Sequence, residues 1–184
     1  PTQFNMEQES LSLRGRHNVY NSLAAGLAAH IAGVKDETLR KSLSNFPGVE
    51  HRLEKVCTVG GITYINDSKA TNVDACWYAL ESMAQPTVLI LGGVDKGNDY
   101  SQIYDLVKEK CIGIVYMGVD NKKLHDCFDN FGIPTRDTRS MKEAMAACKQ
   151  LAKDGSTILL SPCCASFDLF KNMEDRGEQI REIA

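Results

Sequence analysis

The sequence predicts an α/β fold, a mostly parallel and doubly wound sheet of the Rossmann-like type with an antiparallel edge strand, preceded by helices. Short apolar runs such as 87–91 (TVLIL) and 112–117 (IGIVYM) alternate with amphipathic segments, which is typical of parallel strands covered on both faces. The pair Gly60-Gly61 joins two alternating segments, which indicates a hairpin. Two helical segments precede Pro47-Gly48, where the pattern changes.

The first 47 residues are predicted to be mainly helical. A helix from Asn18 is expected to end at Gly33, and its apolar residues share one face: Leu23, Leu27, Ala28 and Ile31. A second helix is expected to open at Asp36, which is a good N-cap residue. Its apolar residues recur at helical spacing: Leu39, Leu43 and Phe46.

The remaining segments alternate between strands and helices. The hairpin is expected to pair strands 53–59 and 62–65. The later elements are expected in this order: helix 73–84, strand 87–91, helix 101–109, strand 112–117, helix 120–130, a short strand near Ile133, helix 140–153, strand 156–160 and a helix from about 166 to 182.

Length and composition narrow the class of protein. The 184 residues fit one ordinary domain, or one domain plus a fragment. A net charge of -3 provides no basic field, so neither nucleic acid nor an anionic membrane is expected as a partner. No signal-peptide pattern and no apolar run long enough to span a bilayer is found, which predicts a soluble, intracellular protein. The seven cysteines show no C-x-x-C pairing, so we expect reduced, buried thiols rather than a zinc site.

Three polar loops follow predicted strands, at 66–72 (NDSKATN), 92–98 (GGVDKGN) and 161–166 (SPCCAS). Parallel sheets bind ligands at this edge, beyond the carboxyl ends of their strands. In the first loop, Lys69 and Thr71 lie near a helix N-terminus, which favours an anion. Asp67 is placed to bind ribose hydroxyls or a cation. The alternative is that Asp67 or Thr71 only caps the helix.

The other two loops add a cation and a hydroxyl group. The loop at 92–98 carries Lys96 between glycines but matches neither a Walker A loop nor a dinucleotide fingerprint. Its alternative interpretation is a flexible turn with a solvated lysine. Ser166, at the expected start of the last helix, is a donor suited to a carboxylate. Two lysines and two hydroxyls at one edge describe a site for a small dicarboxylate or a phosphate.

Two further charged segments carry weaker signals. Arg52 follows His51 just beyond Pro47-Gly48, where an arginine could reach a transferring phosphate. The alternative is a linker arginine in water. His30 and His125 have no partner at metal-ligand spacing. Most polar residues near the start of the last helix are expected on a solvated face: Lys171, Asn172, Glu174, Asp175 and Arg176.

Five ordered segments together resemble the carboxyl-terminal part of a Mur ligase. They are GRHNVYN at 15–21, HRLE at 51–54, NDSKATN at 66–72, GGVDKG at 92–97 and SPCCASFDLFKNMEDRG at 161–177. The resemblance implies that residues 1–47 are the helical end of a central ATPase domain. Residues 48–184 would then form the amino-acid-binding domain.

The resemblance implies an ATP-dependent amide ligase of the cytoplasmic steps of peptidoglycan assembly, acting as a monomer. In such an enzyme ATP phosphorylates the carboxylate of UDP-N-acetylmuramoyl-L-alanine, and the amine of an amino acid attacks the acyl phosphate. The segment NDSKATN favours D-glutamate as that amino acid. The Gly-rich phosphate loop of the family and its metal-binding segment are not in this sequence. Ligands for Mg²⁺ are therefore expected mostly outside it, and these 184 residues alone are expected to be inactive.

The resemblance also assigns roles to individual residues. Residues expected at ATP are Asn18, Asn21 (nearer the adenine), His51 and Arg52 (at the phosphates) and Asp67 (at the ribose). Arg52 and Lys69, the latter on the phosphate side, are the expected catalytic residues. Thr71, Lys96 and Ser166 are expected to bind the carboxylates of D-glutamate. Phe167 and Met173 line the same pocket, where this chain departs from the usual smaller aliphatic residue and phenylalanine. No metal ligand is assigned.

Two other interpretations remain open from the residues alone. One is a different amide ligase of the same superfamily, such as a folylpolyglutamate synthase-like enzyme, which a screen of amino-acid substrates would separate. The other is a non-catalytic nucleotide-binding or redox module of the flavodoxin type, which would bind flavin or dinucleotide.

Overall fold

A computed structural model describes residues 4–13 and 15–184. The chain divides into two compact units, Pro1–Val49 and Glu50–Ala184. In the first, a short 3-10 helix (Gln8–Ser10) precedes helices α1 (Arg16–Ile31) and α2 (Asp36–Asn45). The two helices predicted before Pro47 are therefore present.

The buried face of α1 differs from the predicted one. The apolar side chains of Leu23, Leu27 and Ile31 are 63%, 62% and 77% exposed. Buried instead are small or polar residues: Asn18, Ser22 and Gly26. Gly26 faces α2. A Cβ added at Gly26 would lie 3.6 Å from Cδ1 of Leu43, an ordinary van der Waals distance. Small residues on that face let the two helices of this unit pack, and the leucine stripe is left outside.

Helix α2 opens at Asp36, as predicted, but the N-cap role predicted for Asp36 is wrong. Asp36 is its first helical residue, and the N-cap position is held by Lys35, whose side chain makes no cap hydrogen bond. The Asp36 carboxylate lies 3.3 Å from His30 Nδ1 instead. It still stabilises α2, because an acidic group in the first turn complements the helix dipole.

The second unit is built on a six-stranded sheet with the order β1-β2-β6-β3-β4-β5. The strands are β1 (Glu54–Val59), β2 (Ile62–Asn66), β3 (Thr87–Gly92), β4 (Cys111–Met117), β5 (Thr135–Thr138) and β6 (Thr157–Cys163). The helices are α3 (Val73–Glu81), α4 (Tyr104–Lys110), α5 (Lys122–Phe128), α6 (Met141–Leu151) and α7 (Met173–Ile183), with 3-10 turns at Tyr100–Ile103 and Asp129–Phe131. Only β1 runs antiparallel to its neighbour. The predicted sheet, with its antiparallel edge, is confirmed.

Helices cover both faces of the sheet because the central strands are apolar on both sides. Every residue of β3 and β6 is buried. Leu89 and Leu91 pack in one core with residues of α3 and α4, whereas Val88 and Ile90 pack in a second core with residues of α6 and α7. Alternate residues of a strand thus serve opposite layers, as its period of two requires.

The hairpin between β1 and β2 turns on two glycines, as predicted. Gly60 and Gly61 have φ of 56° and 76°, a region that glycine enters without strain. The register pairs Glu54 with Asn66 and Val59 with Ile62. It therefore brings the start of β1 beside the end of β2.

The last helix begins later than predicted. Residues 166–172 form turns and bends, and α7 starts at Met173 with the Asn172 side chain accepting from Asp175 N at 2.7 Å. The Ser166 carbonyl accepts from the N–H groups of Leu169 and Phe170, so this segment folds back on itself instead of extending the helix. Ser166 therefore lies in a turn and not at a helix N-terminus.

Within the described residues, no helix is both long enough and apolar enough to cross a membrane.

Helix α7 passes close to the turn that precedes β1. A Cβ added to Gly177 would lie 2.7 Å from Cγ of the buried His51 ring. The ring has no space to withdraw, because it is held by Asn66, whose Nδ2 is 2.9 Å from His51 Nδ1. A glycine is required at this point of the helix for the ring to fit.

We expect Gly177→Ala to destabilise the second unit by about 1–3 kcal/mol, the usual cost of overpacking a filled core. The direction of the change in stability is informative, because Gly→Ala in a helix interior otherwise stabilises a protein by about 1 kcal/mol. Urea unfolding followed by the fluorescence of Trp77, the single tryptophan, measures the change. Glu182→Ala on the exposed side of α7 is the control and should change stability by less than about 0.5 kcal/mol. A more stable Gly177→Ala variant would contradict the argument.

Candidate functional site

The three polar loops leave the same edge of the sheet. They follow β2, β6 and β3, which are parallel neighbours in that order. The chain continues into α3 on one face after β2, and into α7 on the opposite face after β6. Crevices between strands whose connections diverge in this way are where open α/β sheets bind ligands.

Asn66 ends β2 and joins four segments of the second unit. Its fully buried side chain lies with Nδ2 at 2.9 Å from His51 Nδ1, 3.0 Å from Glu54 Oε2 and 3.1 Å from the Gly177 carbonyl. Its Oδ1 accepts from Ser68 N at 3.1 Å. Asn66 therefore fixes the position of the His51 ring beside Glu54 and the Gly177 carbonyl.

Both carboxylate oxygens of Asp67 accept hydrogen bonds from other parts of the protein. Leu53 N donates to Oδ1 at 3.1 Å, and Ser161 Oγ donates to Oδ2 at 2.9 Å. The side chain is 4% exposed. Burial raises the pKa of Asp67 to about 7, against hydrogen bonds from Ser161 and Leu53 and the charge of Arg52, which lower it. Asp67 thus ties the turn before β1 to strand β6, and its contact with a ribose stays a prediction.

The turn at 51–53 has an unusual backbone that presents Arg52. His51 and Leu53 have φ of 61° and 45°, which non-glycine residues rarely adopt. The conformation is held by His51 N donating to Glu54 Oε2 at 2.9 Å and by Lys69 N donating to the His51 carbonyl at 2.9 Å. Such strain persists only where the surroundings determine it, and it is concentrated at functional sites.

The two residues of the predicted phosphate pair therefore face different environments. The ring of His51 is buried against Asn66 and Gly177. Arg52 is exposed, and its side chain makes no hydrogen bond or ion pair with residues that the structure describes. Arg52 is the member of the pair that an external phosphate could reach, and both roles stay predictions.

The cap of α3 decides one alternative for the first loop. Asn72 Oδ1 accepts from Ala75 N at 2.8 Å, so neither Asp67 nor Thr71 caps this helix. Across residues 4–13 and 15–184, the half-buried Lys69 and Thr71 side chains have no hydrogen-bonding partner. Their donors lie at a helix N-terminus, where a negative group is favoured.

The second loop is shaped by Asp95. Its carboxylate accepts from Gly97 N at 2.7 Å, Tyr100 Oη at 2.8 Å, Lys123 Nζ at 3.1 Å and Asn98 N at 3.2 Å. Burial alone would raise the pKa of Asp95, but these hydrogen bonds outweigh it and hold the pKa below its usual value. This internal bonding argues against the alternative of a flexible turn.

Lys96 projects from this loop as an exposed cation. No described residue pairs with its side chain. Val94 N donates to the Ala165 carbonyl at 2.8 Å and Ala165 N donates to the Val94 carbonyl at 3.3 Å, so the second loop is also tied to the third. The position of Lys96 relative to Ser166 is therefore set by backbone hydrogen bonds.

The third loop carries the remaining predicted pocket residues. Cys163 ends β6 with a φ of 60°, and the chain then turns through the buried Ser166. Phe167 is 70% exposed. Met173 is half-buried at the start of α7, and its carbonyl accepts from Ser68 Oγ at 2.7 Å. The third loop is thus linked to the first as well.

In the first unit, Asn18 is buried and Asn21 is exposed. Asn21 Nδ2 donates to Asn18 Oδ1 at 3.5 Å. The proposed adenine contact of Asn21 stays a prediction.

Arg176 is the residue that sequence reasoning missed. The sequence predicts a solvated position for it, but the side chain is buried, with the residue 1% exposed. Nε donates to Ser68 Oγ at 2.9 Å, Nη2 to the Ser68 carbonyl at 2.9 Å and Nη1 to the Cys164 carbonyl at 3.2 Å. Arg176 lies three residues after Met173 and four before Ile180, which places it on the inner face of α7. That helical spacing is the feature of the sequence that could have predicted its burial.

All seven cysteines are free in the structure. Five are buried, and Cys57 and Cys127 are half-buried. In the part of the chain that the structure describes, no group of three or more His, Cys, Asp or Glu side chains could hold a metal ion.

We expect the stability of the chain to fall as pH rises from about 4 to 7, and Asp67→Asn to remove that component. The folded state keeps a proton on Asp67 up to a pKa of about 7, whereas an unfolded aspartate loses it at about 3.9. Each unit by which the folded-state pKa exceeds the unfolded-state pKa adds about 1.4 kcal/mol to the free energy of unfolding at a pH below both values. Urea unfolding of both forms between about pH 4.5 and 8, followed by Trp77 fluorescence, measures the difference. Parallel stability curves for the two forms would show that Asp67 is ionised throughout.

Known proteins resemble this chain both in sequence and in structure. A family model described as "Mur ligase, glutamate ligase domain" matches residues 51–164. The UDP-N-acetylmuramoylalanine--D-glutamate ligase of Bacteroides thetaiotaomicron is 63% identical over 99% of this chain and 41% of its own length. That of Porphyromonas gingivalis is 51% identical over 97% of this chain and 40% of its own length. The chain thus spans about two fifths of these curated relatives.

Solved structures share the fold. UDP-N-acetylmuramate-alanine ligase MurC from Thermotoga maritima superposes with a TM-score of 0.69 at 16% identity, over 94% of this chain and 38% of that one. Folylpolyglutamate synthase from Mycobacterium tuberculosis gives a TM-score of 0.67 at 16% identity, over 84% and 39%. The family model covers the turn at His51, the loops after β2 and β3, and strand β6. The chain belongs to the Mur ligase family, as a glutamate ligase domain of that family.

Proposed function

We propose that this chain is the amino-acid-binding part of an ATP-dependent ligase that joins D-glutamate to UDP-N-acetylmuramoyl-L-alanine in peptidoglycan synthesis. The observation that carries the proposal is the arrangement of Thr71, Lys96 and Ser166 on loops from three neighbouring parallel strands. D-Glutamate presents two carboxylates, which charged and hydroxyl donors complement. The names of the relatives from Bacteroides thetaiotaomicron and Porphyromonas gingivalis support the choice of amino acid.

In this proposal, the loops orient the amino acid by its carboxylates. Lys96 supplies a positive charge, and Thr71 and Ser166 supply hydroxyl donors. Held in this way, the amine of D-glutamate stays free to attack the activated carboxyl carbon, and the reaction gains from proximity and orientation. The exposed Phe167 and the half-buried Met173 would border the pocket and limit the size of the side chain it accepts.

ATP would supply the phosphoryl group that activates the carboxylate of the UDP-linked substrate. Arg52 and Lys69 fit a role at its phosphates, because neither side chain forms a hydrogen bond or an ion pair with a described residue. Their charges would offset the negative charge of the transferring group. The buried ring of His51 fits a supporting role for Arg52 better than direct contact.

Other nucleotide contacts are proposed with the resemblance as their support. Asp67 would approach the ribose, although both of its oxygens already accept hydrogen bonds from the protein. Asn21, exposed on α1, would contact the adenine, with Asn18 behind it. Since no metal-binding group is found among the described residues, ligands for Mg²⁺ would come from other parts of a longer protein. That protein is proposed to act in the cytoplasm as a monomer.

A substrate screen tests the proposed function. A full-length ligase containing this chain should form ADP and amide with UDP-N-acetylmuramoyl-L-alanine and D-glutamate. L-Glutamate, L-lysine and L-alanine should be used at least about 100-fold less efficiently, because they misplace one carboxylate or lack it. The 184-residue chain alone, which has no phosphate loop in its sequence, serves as the negative control. Preference for L-glutamate on a folate-like acceptor would point instead to a folylpolyglutamate synthase-type enzyme.

Two substitutions in the first loop separate the two substrates. Thr71→Ala in the full-length ligase should raise the KM for D-glutamate about tenfold or more, the effect of losing a hydrogen bond to a charged group. Its KM for ATP should change less than twofold. Asp67→Ala should do the reverse. Thr58→Ala, on the hairpin away from the loops, is the control and should change neither value. Equal effects of Thr71→Ala and Asp67→Ala on both substrates would refute this division of roles.

A further inference from the structure

Arg176 is a buried cation with no carboxylate at ion-pair distance among the described residues, although the nearby charge of Asp168 acts on it. All three of its hydrogen bonds go to uncharged oxygens, those of the Ser68 hydroxyl, the Ser68 carbonyl and the Cys164 carbonyl. No ion pair to Arg176 is formed by residues 4–13 or 15–184. Burial lowers the pKa of Arg176 to about 10, against nearby Cys164 and Asp168, which raise it, so the guanidinium still carries its charge at neutral pH.

Such an arrangement is expensive for the fold. Taking a charge out of water costs several kcal/mol unless an opposite charge compensates it, and an apolar side chain of similar volume is commonly as stable or more stable. The neighbouring inward positions of α7 hold Gly177 and Ile180. The packing of the helix therefore gives no reason for a charge at this position, and a functional reason has to be sought.

The contacts of Arg176 show where that charge acts. Ser68 belongs to the loop that carries Thr71, and Cys164 belongs to the loop that carries Ser166. One guanidinium bridges these two loops across the crevice between β2 and β6. Ser68 Oγ accepts a hydrogen bond from Arg176 Nε and donates one to the Met173 carbonyl, so the start of α7 is held at the same point.

We propose that Arg176 is a positioning and specificity residue, which sets the spacing of Thr71 and Ser166 and whose charge, bonded to no carboxylate, favours an amino acid with two carboxylates. The inference rests on the proposed function. A dianionic ligand held above the crevice would bring Arg176 a negative charge in addition to that of Asp168. The binding of such a ligand, more than that of ATP, should then depend on this side chain.

The test uses a full-length ligase containing this chain, after the wild type has been shown to ligate D-glutamate. If the wild type does not, the proposed function fails before Arg176 is questioned. Arg176→Met removes the charge and keeps most of the stem. It should raise the KM for D-glutamate at least tenfold and leave the KM for ATP within twofold. Arg176→Lys keeps the charge but cannot donate to both loops, and its KM for D-glutamate should lie between those of the wild type and Arg176→Met.

Arg136→Met is the control, with the same change of charge at an exposed position of the edge strand β5, away from the three loops. It should change both KM values less than twofold. An unchanged KM for D-glutamate in Arg176→Met, or an equal rise for ATP, would overturn the proposal, since a purely structural role affects both substrates. Equal KM values for the Lys and Met variants would overturn the role of the charge. Should Arg176→Met fail to fold, a selective rise in the KM for D-glutamate in Arg176→Lys supports the proposal, and a non-selective rise or none overturns it.

Discussion

The hydrogen bonds of the Asp67 carboxyl group join two parts of the site that lie far apart in the chain. One oxygen accepts from Leu53, in the turn before β1, and the other accepts from Ser161, in strand β6. Asn66, the residue before it, holds His51 and the Gly177 carbonyl in the same way. The strained turn that presents Arg52, the hairpin and α7 all depend on these two adjacent side chains.

The loop after β2 divides its polar groups between the fold and the ligand. Asn66, Asp67, Ser68 and Asn72 are each engaged by backbone or buried side chains. Lys69 and Thr71 are left without partners among the described residues, and they lie beside a helix N-terminus. A short segment can therefore contribute both to the stability of the sheet edge and to binding, because different residues of it do each.

The same division explains why this edge tolerates costly features. Several costly features lie around the ends of β2 and β6: positive φ at His51, Leu53 and Cys163, the raised pKa of the buried Asp67, and the buried charge of Arg176, which forms no ion pair among the described residues. Burial of the apolar strands β3 and β6 stabilises the fold and offsets the free-energy cost of these features. A rigid, polar edge holds donors in place before a ligand arrives, which reduces the entropy lost on binding.

Residue patterns predicted the order of strands and helices, the hairpin at Gly60-Gly61, the three polar loops and the family resemblance. These are local signals, since hydrophobic period and turn residues act within a few positions of the chain. Four other features come from packing between distant segments: Arg176 is buried, Asn72 and not Thr71 caps α3, α7 begins at Met173, and the leucine face of α1 is exposed. Burial and the choice of hydrogen-bond partner depend on residues distant in sequence, such as Ser68 for Arg176 and Leu53 for Asp67. No local pattern contains those partners, and for that reason they were not predicted.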